Sequence, residues 1–455
     1  MVGELRSLPP PQPSPVGRGS HRERQFINPA IIGGGYAGMA AAAELAAANI
    51  PVTVFESARQ LGGRARGVSY NDTQLDNGQH LLLGCYRETL RLIELVGGDV
   101  ERDFLRLPLQ LDLHHHLELR APRLPAPLHL LLALLNAKGL NWHERIAAAR
   151  FMLALRAMDF RLAQDMTVAE LLKLHGQDAD LTLKFWEPLT IAALNTPVAQ
   201  ASAQVLLNVL RDALHRKRAD SDMLLPRIDF TALFPQRAAA YVERHGGQVH
   251  LSCGVDAIMP EDIGISLQTA QGKQHFSHVI CAASSATAER LLRPLAGLTD
   301  TVQQIAALEQ QPIYTVYLQY PAHVRLPHPM IGLHQRISQW LFDKGLIAGQ
   351  RGLLASVISA EGIHQELSQE ELARKVANEL HEEFGIDDTP LWSKVIAEKR
   401  ATFCCAPNLQ RPATQTPIPN LLLAGDYTAG DYPATLEGAV MSGVDCARRC
   451  LPGRK

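Results

Sequence analysis

The chain has 455 residues, of which 46% are hydrophobic and 20% charged, enough for about two to three domains with large cores. A net charge of −2 excludes a global field that would draw in nucleic acid or an anionic membrane, and no uninterrupted apolar run reaches the roughly 18 residues of a spanning helix. The seven cysteines (Cys85, Cys253, Cys281, Cys404, Cys405, Cys446 and Cys450) are scattered and form no C-x-x-C pair, which points to reduced thiols in a cytoplasmic protein and away from structural zinc or any other metal.

Residues 1–26 are rich in proline and arginine and lack the apolar core of a signal peptide; they read as a disordered tail or as the product of an early start codon. The first ordered element follows. In "AIIGGGYAGMAAAAELAAANIPVTVFE", Ala30 to Glu56, an apolar run ends in glycines and is succeeded by strong helix formers, so the glycines sit at a strand-to-helix turn. Gly33, Gly35 and Gly38 have the G-x-G-x-x-G spacing. The first permits a tight turn, the second admits a pyrophosphate to the backbone and the third lets helix and strand pack closely. Tyr36 and Ala37 open the helix, whose free N–H groups favour phosphate. "VTVFE" reads as the next parallel strand, and Glu56 at its end is placed to accept from both hydroxyls of an adenosine ribose. An acid there disfavours a 2′-phosphate, so the ligand is NAD or FAD rather than NADP.

Gly62 and Gly63 mark a loop, "DNGQH" (76–80) a second turn, and "YRETLRLIELVG" a helix. From about 108 to 235 the pattern is mainly helical and starts leucine-rich. "AAAYVERHGGQVHLSCGVDAI" and "QHFSHVICAASSATAERLL" return to strands and a turn into a helix, "PIYTVYLQY" and "GLLASVISA" read as strands of a second sheet, and the C-terminal "PNLLLAGDYTAGDYPATLEGAVMSGVDCARRC" gives strand, glycine turn, loop and helix. The fold class is therefore α/β: a discontinuous Rossmann-like dinucleotide domain (27–107, 236–300 and 399–455) with an inserted α+β substrate domain (108–235, mainly helical, and 301–398, carrying the second sheet).

The glycine motif, Glu56, "LGGRAR", "DNGQH" and the late "LLLAGDY...PATLEGAVMSG" together resemble the flavin amine oxidase and phytoene desaturase superfamily over nearly the whole chain after residue 27. The resemblance implies FAD. It places Gly62, Gly63 and Arg64 near the pyrophosphate, Asn77 and Gly78 near the isoalloxazine, and Val255 at the adenine. Gly425 and Asp426 fall on the ribityl-pyrophosphate side, and Thr435 and Leu436 begin a helix aimed at the flavin pyrimidine, where its dipole favours the charge that accumulates on reduction. Within the superfamily, "ARQLGGRAR", "FWEPLTIAALNTPVAQASAQVLLNVLRD" and "LLPRIDFTALFP" look like the hydroxysqualene dehydroxylases. "LNTP" (194–197) discriminates most, because it lies in the substrate domain.

That resemblance implies reductive replacement of the allylic hydroxyl of a C30 isoprenoid by hydrogen, in squalene and hopanoid biosynthesis, with an external electron donor of unknown identity. The chemistry asks for a general acid and a dry apolar channel. His80, beside the flavin-facing turn, Glu187, after the aromatic pair Phe185–Trp186, and Glu437, in the first turn of the last helix, are the candidates. Each has a plain structural alternative: a backbone hydrogen bond, a salt bridge and helix-dipole complementarity respectively. Phe185 and Trp186 either stabilise a cation or fill the core. His114, His115 and His116 are adjacent and cannot share one metal on a regular element.

Two other readings use the same fingerprint: a carotenoid-type desaturase or amine oxidase running the flavin in the oxidising direction, and a non-catalytic prenyl-binding escort. Amine oxidation calls for an aromatic cage, which the 5% aromatic content does not favour. The apolar stretch "PLHLLLALLNAKGLNWHERIAAARFMLALRAM" with basic and tryptophan flanks reads either as buried core or as a peripheral contact with the inner face of the cytoplasmic membrane.

Overall fold

The computed structural model describes residues 27–451; the tail expected at 1–26 lies outside the described residues. Five strands form an all-parallel sheet in the order Gln248–His250, Thr53–Phe55, Pro29–Ile32, His278–Cys281, Leu421–Leu423. Apart from the edge strand Gln248–His250, none of whose residues is buried, these strands are short, mostly apolar runs because both faces are covered. Ile31, Val54, Ile280 and Leu422 point into one core, with the helices Tyr36–Ala47, Pro235–Arg244 and Leu436–Cys450. Their neighbours Ile32, Phe55, Val279 and Leu423 point into another, with the antiparallel meander Val255–Pro260, Ile265–Thr269 and Gly272–Phe276.

The first helix is alanine-rich because it is squeezed from two sides: ten of its twelve residues are buried. Where it crosses the last helix, a Cβ on Gly443 would lie 2.1 Å from the Ala37 carbonyl oxygen. Small side chains there are a packing requirement.

The second sheet has seven strands, in the order Trp392–Phe403, Gln310–Gln319, Leu353–Ser359, Trp340–Asp343, Met330–Gly332, Gln110–Leu113, Leu117–Arg120. The two strands expected from "PIYTVYLQY" and "GLLASVISA" pair antiparallel, Tyr317 opposite Ala355. One face is covered by the helix Gln369–Phe384, which starts at a Ser368–Glu371 capping box and stops at Gly385 in the left-handed conformation.

Residues 110–120, which fall in the stretch expected to be mainly helical, instead form a hairpin that extends this sheet. Its signal is the period-two placement of Leu111 and Leu113, then Leu117 and Leu119, all buried. The three adjacent histidines make its turn, His115 at φ 60°. The helices Leu128–Leu135, Trp142–Ala157, Val168–Leu174, Glu187–Leu194 and Ala203–Leu214 then form a helical lobe. No helix among the described residues is long and apolar enough to cross a membrane.

Candidate cofactor and substrate site

The chain leaves Pro29–Ile32 for its neighbour Thr53–Phe55 on one side, while His278–Cys281 flanks it on the other. That reversal opens a crevice at the carboxyl ends of the strands, where open α/β sheets bind ligands. Gly33 turns there at φ +108°, and a Cβ on it would lie 2.6 Å from the Ala282 carbonyl oxygen; on Gly38 it would lie 1.9 Å from that of Gly33. At Gly35 the nearest atom is Gly63 Cα, 3.9 Å away, so this glycine leaves open space rather than relieving a clash. Gly35 also starts the first helix with no capping side chain, leaving first-turn N–H groups for a phosphate. Tyr36 turns its ring away: its hydroxyl donates to the Phe230 carbonyl (2.9 Å), and it packs on Phe230 and Phe234. The Tyr36 side chain is thus committed to packing away from the turn.

Glu56 is buried, and its carboxylate is held by the backbone: Oε2 accepts from Gly34 N–H (2.6 Å) and Oε1 from Ala58 N–H (2.7 Å). Oε1 also accepts from the Ser57 hydroxyl (3.3 Å), while Oε2 keeps acceptor capacity for a ribose hydroxyl. Its carbonyl accepts from Cys253 N–H (2.8 Å), which brings Val255, at the start of the meander, alongside.

Gly62 and Gly63 have φ of +110° and +60°, and Gly62 N–H donates to the Gly34 carbonyl (2.9 Å). The loop thus lies against the glycine turn and delivers Arg64, which donates to Asp426 Oδ1 (2.5 Å) and to the Ala401 carbonyl (2.6 Å). Asn77 donates to the Arg64 carbonyl (3.0 Å) and Glu398 (3.2 Å). Gly78 has only His80 and Thr315 near its Cβ position. At the last strand end, Gly425 N–H donates to Ser442 (2.8 Å), a Cβ on Gly425 would strike the Tyr427 ring, and Asp426 is buried. Thr435 caps the last helix by accepting from Gly438 N–H (3.1 Å), and Leu436 is its first residue. The crevice therefore gathers Glu56, Arg64 and Asp426 on one edge of the parallel sheet.

The three candidate acids are placed very differently. His80 bonds through Nδ1 to the Gly78 carbonyl (2.6 Å) and packs on Phe230. Burial, opposed by that bond, pushes its imidazole down to about 4, so near neutral pH it is an uncharged ring with no proton to give up readily, which counts against the acid role. Glu437 is spent on structure: its carboxylate accepts from Glu88 N–H (3.0 Å), Thr89 N–H (2.9 Å) and Thr89 Oγ1–H (2.7 Å). It caps the start of the helix Arg87–Leu95, a structural role that counts against the acid role. Glu187 is half-buried, and burial raises its carboxyl pKa. It has no hydrogen-bond or ion-pair partner among the described residues and follows a single π-helical turn, Thr182–Trp186, a deviation that often marks functional sites. Phe185 and Trp186 are buried; Trp186 donates to Gln177 (2.9 Å) and meets Phe151 edge-on, a core arrangement.

The sequence reading missed a buried polar cluster beneath the Asn77–His80 turn. Asp76 accepts from Phe230 N–H (2.9 Å), the Tyr317 hydroxyl donates to the Asp76 carbonyl (3.0 Å), and buried Lys344 donates to Gln79 Oε1 (3.1 Å). Burial raises the Asp76 carboxyl to about 7 against the pull of the Lys344 charge, and burial lowers Lys344. These residues pin the turn to the second sheet. A second missed anchor is Asn195 of "LNTP", at φ 48°. It donates to the Pro312 carbonyl (3.2 Å) and Thr402 (2.9 Å) and accepts from Ala360 N–H (2.6 Å), docking the helical lobe on the second sheet.

Open space over Gly35, an uncapped helix start, an acid with spare lone pairs and an arginine at the strand ends fit a dinucleotide that spans from Glu56 to Asp426. Residues 36–451 match the family of flavin containing amine oxidoreductases. Among curated proteins, the chain is 28% identical to a hydroxysqualene dehydroxylase of Sinorhizobium fredii, covering 92% of this chain and 97% of that protein. It is 24% identical to a zeta-carotene desaturase of Arabidopsis thaliana, over 97% and 87% respectively. Among solved structures it resembles a cyclohexylamine oxidase from Brevibacterium oxydans at 16% identity and a TM-score of 0.68, covering 93% of this chain and 98% of the other. The chain belongs to the flavin containing amine oxidoreductase family, and it is an FAD-dependent oxidoreductase with that family's fold.

Proposed function

We propose that the protein replaces the allylic hydroxyl of hydroxysqualene by hydrogen, giving squalene and water. The observation that carries this reading is the likeness to three bacterial hydroxysqualene dehydroxylases over nine-tenths of the chain, helical lobe included. When bound and reduced by an external donor, FAD supplies the hydride. A proton reaches the hydroxyl oxygen, the C–O bond breaks with release of water, and the delocalised allylic cation gains a C–H bond. The chain's part is to hold the dinucleotide along Glu56, Arg64 and Asp426, to keep water out with the apolar lobe, and to donate the proton. Glu187 is the donor in this reading, because its carboxyl is raised by burial and is not engaged elsewhere.

Desaturation of a carotenoid, which runs the flavin the other way, is supported by the zeta-carotene desaturases among the relatives. Amine oxidation has less support: the tyrosines that follow Asp426 in the chain are committed, Tyr427 to the Ala283 carbonyl (3.2 Å) and Tyr432 to Asp212 (2.9 Å), and the last helix begins with Thr435 and Leu436. The deciding experiment reduces the flavoprotein anaerobically, adds hydroxysqualene, and follows flavin re-oxidation and product mass. Squalene formed as the flavin re-oxidises is the expected result. A surviving alcohol over reduced flavin would overturn it and direct the oxidised protein to polyenes. Flavin that never reduces would favour a prenyl-binding escort.

A further inference from the structure

The helices Leu128–Leu135 and Trp142–Ala157 pack against each other at the surface of the helical lobe. Three large apolar side chains on this hairpin face solvent: Leu128 (51% exposed), Trp142 (61%) and Leu153 (55%). Trp142 and Leu153 are eleven residues apart, three helical turns, so they stand about 20° apart around the helix and about 16 Å apart along it. Trp142 is fixed by the Asn141–Glu144 capping box at the helix start. Beside Leu153 an apolar groove runs between the helices, lined by Pro127, Leu130, Leu131, Met152 and Phe160. Large apolar side chains exposed beside an apolar groove in this way mark an interaction site.

Charge identifies the occupant. From Ala121 to Arg161 the chain carries Arg123, Lys138, Arg145, Arg150, Arg156 and Arg161 against Glu144 and Asp159, a local charge of +4 in a chain of net −2. Glu144 is buried in its cap. Arg123, Arg150 and Arg156 are exposed and, unlike Lys138 with Glu118, make no ion pair among the described residues. On the helical wheel Arg150 and Arg156 flank the Trp142–Leu153 line, one on each side. A tryptophan and leucines between unpaired arginines match the acyl boundary and the phosphates of an anionic bilayer.

We propose that this hairpin docks the protein on an anionic lipid surface, with Trp142, Leu128 and Leu153 entering the interface and Arg123, Arg150 and Arg156 meeting lipid phosphates. One helix links the surface to a loop of the site. The helix Ala203–Leu214 contributes Leu214 to the groove, while Asp212, two residues earlier, accepts from Tyr432 in the loop that follows Asp426. The proposal goes beyond the reaction suggested above and stands or falls without it, since its readout is binding.

The test is co-flotation of the full-length holoprotein with vesicles of phosphatidylcholine, with and without phosphatidylglycerol. The wild type is expected to float with the anionic vesicles and to be released by salt. Trp142→Ser with Leu153→Ser is expected to cut binding about tenfold or more, and Arg150→Glu with Arg156→Glu to abolish the preference for the anionic lipid, both with unchanged flavin spectra and melting temperatures. Wild-type protein left in solution at low salt, or binding untouched by both pairs, would overturn the proposal. So would a wild-type dimer that the Trp142 and Leu153 substitutions dissociate, which would assign the face to a second copy of the chain.

Discussion

The cofactor crevice and the helical lobe are built under opposite constraints. Around Gly33, Gly38 and Gly443 backbone meets backbone so closely that a single Cβ has no room, whereas the hairpin Leu128–Ala157 leaves leucines and a tryptophan in solvent. The first region must hold one rigid ligand in one register; the second is a surface that tolerates change until a partner covers it. Tight packing therefore locates the cofactor, and loose packing locates what lies outside the protein.

Substituting into both regions breaks the comparison most sharply. Gly38→Ala sets a methyl 1.9 Å from the Gly33 carbonyl oxygen and should cost about 3 kcal/mol or more, seen as loss of FAD retention or of soluble protein. Gly176→Ala, in the helical lobe at φ +67° with nothing within 4 Å, meets only backbone strain and should cost about 1 kcal/mol. Equal melting temperatures for the two variants would refute the packing account.

Next in size are the two anchors. Glu437→Ala strands three donors of the Arg87–Leu95 helix start and should lose about 2–3 kcal/mol, while Glu437→Gln, which keeps an acceptor oxygen, should retain turnover. A Glu437→Gln variant that folds with bound FAD but is inert would restore Glu437 as the acid. Asn195→Ala removes the bonds to Pro312, Thr402 and Ala360 together with a left-handed helix end and should cost about 2 kcal/mol, detectable by denaturant unfolding.

What the sequence made legible follows from chain distance. Gly33, Gly35, Gly38 and Glu56 fall within one strand–helix–strand unit, so spacing alone places them, and the late Gly425–Asp426 turn is announced by the apolar "LLL" before it. The capping role of Glu437 was not legible because its partners, Glu88 and Thr89, lie nearly 350 residues earlier; helix position is visible locally, but the direction of a side chain is not. Lys344 and Gln79, 265 residues apart, left no local signal either. The hairpin 110–120 was legible in its alternating leucines but was masked by the leucine-rich helices that follow.

A pH-dependent effect separates Asp76 from the exposed acids. Its folded pKa is raised to about 7, so the folded state holds a proton that the unfolded state gives up above about 4. Stability from this group is complete below that value and declines as pH rises to about 7, by at most about 1.4 kcal/mol per pH unit. Asp76→Asn should flatten the stability profile over that window, and an unchanged slope would mean that Lys344 already holds Asp76 ionised.

The smallest expected effect is at His80, and it is informative because it is small. With its imidazole pushed down to about 4, folding favours the neutral ring. The associated stability is present above the ordinary histidine range and is lost as pH falls from about 6.5 through 4. Between pH 6 and 8 the ring's charge does not change, so the pH–rate profile of turnover should carry no limb from His80, and His80→Gln should keep the wild-type profile while removing part of the acid-side loss of stability. A limb near 6.5 that disappears in His80→Gln would mean that the occupied site recharges this ring, and the proton donor would then be His80 rather than Glu187.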